Sequence, residues 1–239
     1  RSILLSRTYK QSSDADPKAY KKDPENRQLA RASRYRLDAE VIRDQILAVS
    51  GQLNNTMYGK SVRPPQPPGL WEMVNMVANR PYVPDSDDNI YRRSLYTFWR
   101  RAIPPPQMTI MNAPSREFCL PRRERTNTSL QALLMMNEEE YFKAAKTCAK
   151  QTLEETDGLE SRLRLTYEKI TSHLPAKDRL ELMKKTFVEF SEIYQNDAAL
   201  TKALTPELDG TDFSKRVELA AWTMMTHSLL NLELAKVRR

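Results

Sequence analysis

The stretch DFSKRVELAAWTMMTHSLLNLELAK, residues 212–236, is apolar on most of its sides when wound as a helix. Val217, Leu219, Trp222, Met224, Met225, Leu229, Leu230 and Leu232 exceed what one stripe can hold, so the spacing predicts a helix buried at the centre of the fold. Upstream, Leu180, Met183, Phe187, Phe190 and Tyr194 recur at 3, 4, 3 and 4, with Lys184, Lys185, Glu189 and Glu192 opposite. Leu163, Tyr167, Ile170 and Leu174 form another stripe. Two helix starts are signalled by Thr128 with Gln131 and by Asn137 with Glu140, pairs that match the reciprocal capping box. The fold class predicted is mainly α, a multi-helix domain.

Before Asn127 the style changes. Of 15 prolines, 13 lie there, and up to Leu130 there are 22 basic against 13 acidic residues, an excess of nine in a chain whose net charge is +7. LDAEVIRDQILAVSG (37–51) still reads as a helix to about Ser50, with Gly51 as its breaker and Asp38 and Glu40 at its positive end. SVRPPQPPGLWEM (61–73) cannot be helix or inner strand and should run extended over the surface. IYRRSLYTFWRRA (90–102) has Tyr91, Leu95, Phe98 and Ala102 at helical spacing, so a helix is expected, with a strand as the alternative, ended by Pro104, Pro105 and Pro106. Gln107–Arg125 should be an ordered loop with one short strand at MTIM. The whole is expected to be a single domain over 1–239, an irregular, proline-rich half (1–127) wrapping a helical half (128–239).

Composition excludes several functions. With 5 glycines, neither GxGxxG nor GxxxxGK[ST] can be written, which removes the commonest nucleotide cradles. Two histidines and two cysteines, Cys119 and Cys148, cannot supply a zinc ribbon, a CxxCH haem attachment or a disulfide framework. Both cysteines are expected to be buried free thiols. No apolar run approaches the roughly 20 residues of a membrane span. The chain opens on Arg1 without a signal region, which suggests a piece of a longer polypeptide.

The densest polar cluster, Arg122, Arg123, Glu124, Arg125, Thr126, Asn127 and Thr128, precedes a predicted helix start. Guanidinium groups beside free helix N–H groups suit a carboxylate, sulfate or phosphate. The competing reading is an ion-paired network tying the loop to the helices. A second cluster contains Arg31, Arg34, Arg36, Asp38, Arg43 and Asp44; Glu40 and Asp44, one helical turn apart, could serve as paired carboxylates in acid–base catalysis, but the i, i+4 alternation of arginines and acids reads foremost as a salt-bridge ladder along one helix. Arg122, Arg123, Arg125, Asn127, Arg34 and Arg36 are therefore the candidate anion- or partner-binding residues. No catalytic or metal-binding residue is assigned. His227, in a polar strip with Thr223 and Asn231, is expected to be a hydrogen-bonded core histidine. Trp71, Tyr82, Tyr91, Tyr96, Phe98 and Trp99 interleave with arginines, either to stack on bases or sugars or to pin the proline-rich loop. No nucleic-acid module is recognisable.

Taken together, SRTYKQSS (6–13), residues 23–51, PPQPPGLWE (64–72), residues 91–141 with RRERTNTSLQALLMMN (122–137) at their centre, and ELAAWTMMTHSLLNLE (218–233) resemble the planctomycete-specific domain family PSD1, also called DUF1553. Ser129, where proline is usual after TNT, and the tail LELAKVRR depart from the family pattern. The resemblance implies the closing module of a long exported protein, periplasmic or at the cell surface, whose earlier parts include a cytochrome-c-like domain. Haem would belong to that upstream segment, so no cofactor is expected in this chain. The first functional expectation is a non-catalytic structural or interaction domain. It would meet upstream domains of the same polypeptide, a partner protein or an anionic polysaccharide. The alternatives are part of a redox or carbohydrate-processing enzyme working with the upstream cytochrome, and anion or nucleic-acid binding.

Overall fold

The computed structural model describes residues 1–14, 16–71 and 82–238. Ten α-helices and one two-stranded sheet are present among them. The class is mainly α, and its centre is α10 (Phe213–Leu230), which is buried along nearly its whole length. Asp212 starts it, its carboxylate accepting from the Ser214 N–H at 3.2 Å.

α10 packs chiefly against α6 (Glu139–Glu155) and α8 (Lys177–Asn196). The face of α6 turned inward is made of Ala144, Ala145, Cys148 and Ala149, and Ala144, Ala145 and Ala149 share a cluster with Leu219, Trp222 and Met225 of α10, while Ala220 and Ala221 lie in a smaller cluster with Val217 and Tyr194 of α8. Small side chains on α6 let the two backbones approach closely. On the other side Trp222, 1% exposed, lies with its ring centre 4.7 Å from that of Phe187. Leu180, Met183 and Tyr194 complete the α8 stripe inside, while Phe187 and Phe190 are half-buried against the core. In α7 (Leu159–Thr171), Leu163, Tyr167 and Ile170 are buried. Leu174 is not part of that stripe: Ser172 takes φ 59°, the chain leaves the helix, and Leu174 stays exposed.

α5 (Ser129–Asn137) begins with the expected box, Thr128 Oγ1 accepting from the Gln131 N–H and the Gln131 side chain accepting from the Thr128 N–H. The second expected box does not form. Asn137 closes α5, Glu138 is the cap residue of α6, and no side chain caps it. The reason is tertiary: the Glu140 carboxylate is drawn to Arg43, whose Nε donates to it at 2.8 Å.

α3 (Ala39–Val49) buries Ala39, Ile42, Arg43, Ile46 and Leu47. It ends in a Schellman turn, Gly51 N–H to Ala48 O at 3.0 Å and Gln52 N–H to Leu47 O at 2.9 Å, with Gly51 at φ +69°. Residues 90–102 depart from the expected helix. Two short 3-10 turns, Asp88–Tyr91 and Ser94–Tyr96, are joined to the 54–62 segment by isolated bridges Asn54 with Arg92 and Val62 with Thr97. A helix would pair Ile90 O with the Ser94 N–H. Here Arg43 Nη2 donates to Ile90 O at 2.8 Å, and the Ser94 N–H donates to Asp44 Oδ1 at 2.6 Å. Both ends of that helical bond are taken by side chains of α3.

The proline triplet also behaves differently from expectation. Pro106 occupies the first turn of α4 (Pro106–Ile110), where its missing N–H costs nothing, so MTIM is helical rather than a strand. Met108 and Met111 anchor it in the core. Pro65, Pro67 and Pro68 are exposed, Val62, Pro64 and Trp71 are buried, and Glu72 and Met73 of that block lie outside the described residues. The sheet pairs β1 (Tyr35–Arg36) antiparallel with β2 (Val237–Arg238), tying the start of α3 to the chain end.

Candidate functional site

The loop before α5 and the segment before α3 meet along the β1–β2 edge, which brings the candidate arginines together. They do not share one role. Arg123 makes a bidentate pair with Glu40 at 2.7 and 3.2 Å and lies 3.5 Å from Asp38. These bonds, Glu40 foremost, raise its pKa. Arg36 donates to Asn127 Oδ1 at 2.9 Å and lies 3.4 Å from Glu233, its side chain only 9% exposed. Burial lowers the Arg36 pKa despite Glu233, and its Nη2 is buried without a partner among the described residues. Lys236, buried beside it, is pushed down to about 8 by burial and by the Arg36 charge. Arg123, Arg36 and Asn127 are thus committed to partners within the chain, and of the three only the Arg36 side chain is withdrawn from solvent.

Arg122 and Arg34 are exposed and make no ion pair among the described residues. Arg125 stands between the two behaviours, 3.7 Å from Asp38 and with its guanidinium 4.4 Å from the ring centre of Tyr35. Arg238 lies over the same ring at 5.7 Å and over Tyr9 at 4.6 Å. The result is a strip of alternating rings and cations, Tyr9, Arg238, Tyr35 and Arg125, running toward Arg122. An open depression of about 480 Å³ lies beside it, lined by Arg122, Arg123, Glu124, Arg125 and Thr126. The Thr126 hydroxyl accepts from Asn112 at 2.6 Å and from Gln131 at 3.1 Å, which fixes the loop from beneath.

The expected ladder along α3 is replaced by pairs with distant segments. Arg43 bonds Glu140, Arg93 lies 3.7 Å from Asp44, and Glu40 is held by Arg123. Arg43, fully buried, also donates to the carbonyls of Ile90 and Arg92, a bond set that no surface ladder would need. Much of the arginine–aromatic interleaving is internal too. Arg92 donates to the carbonyls of Thr56, Tyr58 and Lys60 while its guanidinium sits 3.8 Å from the Tyr96 ring centre. Arg63 covers Phe98 and Arg100 covers Trp71, so these cations pin the proline-rich segment.

His227 is 1% exposed, its Nε2 2.9 Å from the Met135 carbonyl. A carbonyl only accepts, so Nε2 carries the proton, and Nδ1 is buried without a partner among the described residues. Burial lowers the His227 pKa. Asn231, on the same strip, donates to Ala132 O at 3.3 Å, so the strip holds α5 on α10. Cys148 is buried, which pushes its thiol up to about 11. Cys119, expected to be buried, is exposed beside Phe118 and Leu120 on the loop after α4. That loop has no apolar period to turn it inward, and Asn112 and Arg116 take positive φ.

A second hollow, unforeseen from the sequence, holds about 250 Å³ between Pro65–Pro68, Ile90, Tyr91 and the α5–α6 junction at Asn137–Glu140. The carboxyl of its half-buried acid, Glu138, has no hydrogen-bond or ion-pair partner among the described residues, and burial together with Glu140 and Glu139 pushes its pKa up to about 7. Among the described residues no helix is long and apolar enough to cross a membrane.

No curated protein and no solved structure matches the chain. A family model does, that of PSD1, a protein of unknown function (DUF1553), over residues 1–187. Both arginine clusters, the capping box of α5 and the hollow at Glu138 fall within that stretch, whereas α10 lies beyond it. The matched span covers well over half of the sequence, and the chain is a member of the PSD1 (DUF1553) family.

Proposed function

We propose that this chain is a non-catalytic interaction domain of an exported planctomycete protein, and that the strip from Tyr9 to Arg122 is its docking face. The observation that carries the reading is the division of labour among the arginines. Arg123 and Arg36 spend their charge on Glu40, Asn127 and Glu233, which holds the loop rigid, while Arg122 and Arg34 project unpaired. Rings beneath Arg125 and Arg238 keep those side chains extended at little entropic cost. A fixed cationic strip of this kind fits a carboxylate-rich surface on a neighbouring domain or partner protein. The planctomycete origin, the export and the cytochrome-bearing upstream segments rest on the family resemblance. Glu124 shares the rim and is exposed.

The test is titration of the chain with fluorescent poly-L-glutamate across a salt series. Binding that weakens steeply with salt is expected, and the double variant Arg34→Ala, Arg122→Ala should lose about three- to tenfold in affinity with unchanged thermal unfolding, each exposed pair contributing on the order of 0.2–1 kcal/mol. Unchanged affinity in the variant would remove this face from the reading. Preference for dextran sulfate over poly-L-glutamate would redirect it to an anionic polysaccharide, and preference for DNA to nucleic acid.

A further inference from the structure

We propose that the hollow at the α5–α6 junction is a binding site for an alkylammonium group, with Glu138 as its counter-charge. The inference is independent of the arginine strip, from which it differs in sign and in walls. Three features of the cavity support it. First, its one uncommitted charge is negative. Glu140 is held by Arg43, and the Lys143 ammonium sits 2.6 Å from Glu139, which leaves the Glu138 carboxyl without a partner among the described residues. Leaving a half-buried carboxyl unpaired costs stability, and a fold that tolerates it has room for a cation to relieve it. Second, the wall formed by Pro65–Pro68 is short of donors. Prolines carry no N–H, so Gln66 alone offers one from the backbone, while every residue of the run presents a carbonyl. A group set against this wall finds few donors there, so an ammonium, which brings three of its own, suits it, while Gln66, Asn137 and Lys143 carry the side-chain donors elsewhere in the lining. Third, the side of the hollow formed by the proline rings with Ile90 and Tyr91 is apolar, which suits a hydrocarbon stem and favours a cation near the Tyr91 ring, while Gln66 and Asn137 add amide groups to the rim. The volume of about 250 Å³ accommodates such a stem.

The ionisation of Glu138 gives the site a signature. Its carboxyl, held up to about 7 by burial and by Glu140 and Glu139 and drawn down by Arg43, is partly protonated at neutral pH. Only the carboxylate pairs with an ammonium. Affinity for an amine should therefore rise roughly tenfold between pH 6 and pH 8, with proton release on binding.

The probes are n-hexylamine, 1-hexanol and a short acetylated, amidated peptide carrying one lysine, each titrated into the whole chain by calorimetry and by NMR. Hexylamine is expected to bind more tightly than hexanol, with the rise in affinity from pH 6 to pH 8, and Glu138→Gln should weaken hexylamine about tenfold while leaving hexanol unchanged. Tighter binding of the lysine peptide than of hexylamine would identify a protein side chain as the source of the ammonium, and the reverse a free amine. Equal binding of hexylamine and hexanol overturns the proposal. So does affinity for hexylamine that is flat from pH 6 to pH 8 in the unaltered protein, a measurement that needs no variant to fold.

Discussion

The segment before Thr128 and the helices after it are held together by different physics. In the helical part, spacing does the work: the faces of α6, α8 and α10 bury Ala, Leu, Met and Trp side chains against one another, a stabilisation proportional to area removed from water. In the first part, single guanidinium groups substitute for secondary structure. Arg43 and Arg92 between them satisfy the carbonyls of Thr56, Tyr58, Lys60, Ile90 and Arg92. An irregular, proline-rich chain cannot pair its carbonyls in a ladder, and a buried arginine, with five donors in a fixed fork, is the compact way to do it. The difference teaches that the two parts should fail differently.

The largest expected effect breaks the comparison at Arg43. Arg43→Ala leaves Glu140 buried without its cation and frees the carbonyls of Ile90 and Arg92 together, so a loss of about 3–5 kcal/mol is expected in denaturant unfolding. Hydrogen exchange in the variant should accelerate first at residues 88–97, not along α10. If protection falls uniformly, the two parts are one cooperative unit and the distinction drawn here is wrong. Trp222→Ala, a pure packing loss, is the counterpart that should lower protection along α10 and α8 first.

A smaller effect, in pH, sets the helical core against the α5–α6 junction that faces the proline-rich segment. His227, in the helical core, titrates below its ordinary 6.5 because burial penalises its charge, so the unfolded chain binds more protons. Its contribution is present above about pH 6.5 and is lost as the pH falls through the lowered value, at no more than about 1.4 kcal/mol per pH unit. Glu138, against the proline wall, has the opposite sign. Raised to about 7 from 4.5, it favours folding fully below about pH 4.5, and that contribution is lost as the pH rises through about 7. Between pH 7 and pH 5 the two oppose. His227→Gln should make stability increase on acidification over this range, and Glu138→Gln should make it decrease, both read from thermal unfolding. If both variants keep the slope of the unaltered protein, neither group carries the linkage.

How far the fold was legible in the sequence follows the same division. Stripes such as Leu180 to Tyr194, and the burial of residues 213–230, depend on spacing within one element, and the structure keeps them. Residues 90–102 have helical spacing too, but Arg43 and Asp44, 46 or more residues away, occupy the bonding groups a helix would use. Separations of that size leave no mark on a local pattern. For the candidate site, the clustering of Arg122 to Asn127 was visible, while which arginines point inward was not, since that is decided by Glu40 and Glu233 on other elements. The hollow at Glu138 was illegible for the same reason, because it needs a proline run and a helix junction some 70 residues apart in sequence.

The smallest effect sharpens this lesson at two positions with one signature. Thr128 and Asn137 each stand three residues before a side chain able to complete a capping box, yet only Thr128 is used. Thr128→Ala removes the acceptor of the Gln131 N–H and should cost about 1 kcal/mol, which Thr128→Ser should largely restore. Asn137→Ala removes no cap bond and should stay within about 0.5 kcal/mol of the unaltered protein. The pair isolates the reason. Gln131 remains free to reach back to the Thr128 N–H, whereas Glu140 is committed to Arg43, so in an Arg43→Met background Glu140 is released and Asn137→Ala should begin to cost what Thr128→Ala does. A double-mutant cycle between positions 43 and 137 that shows no coupling would mean that the missing second box has a local cause, and that the first part of the chain does not govern the start of α6.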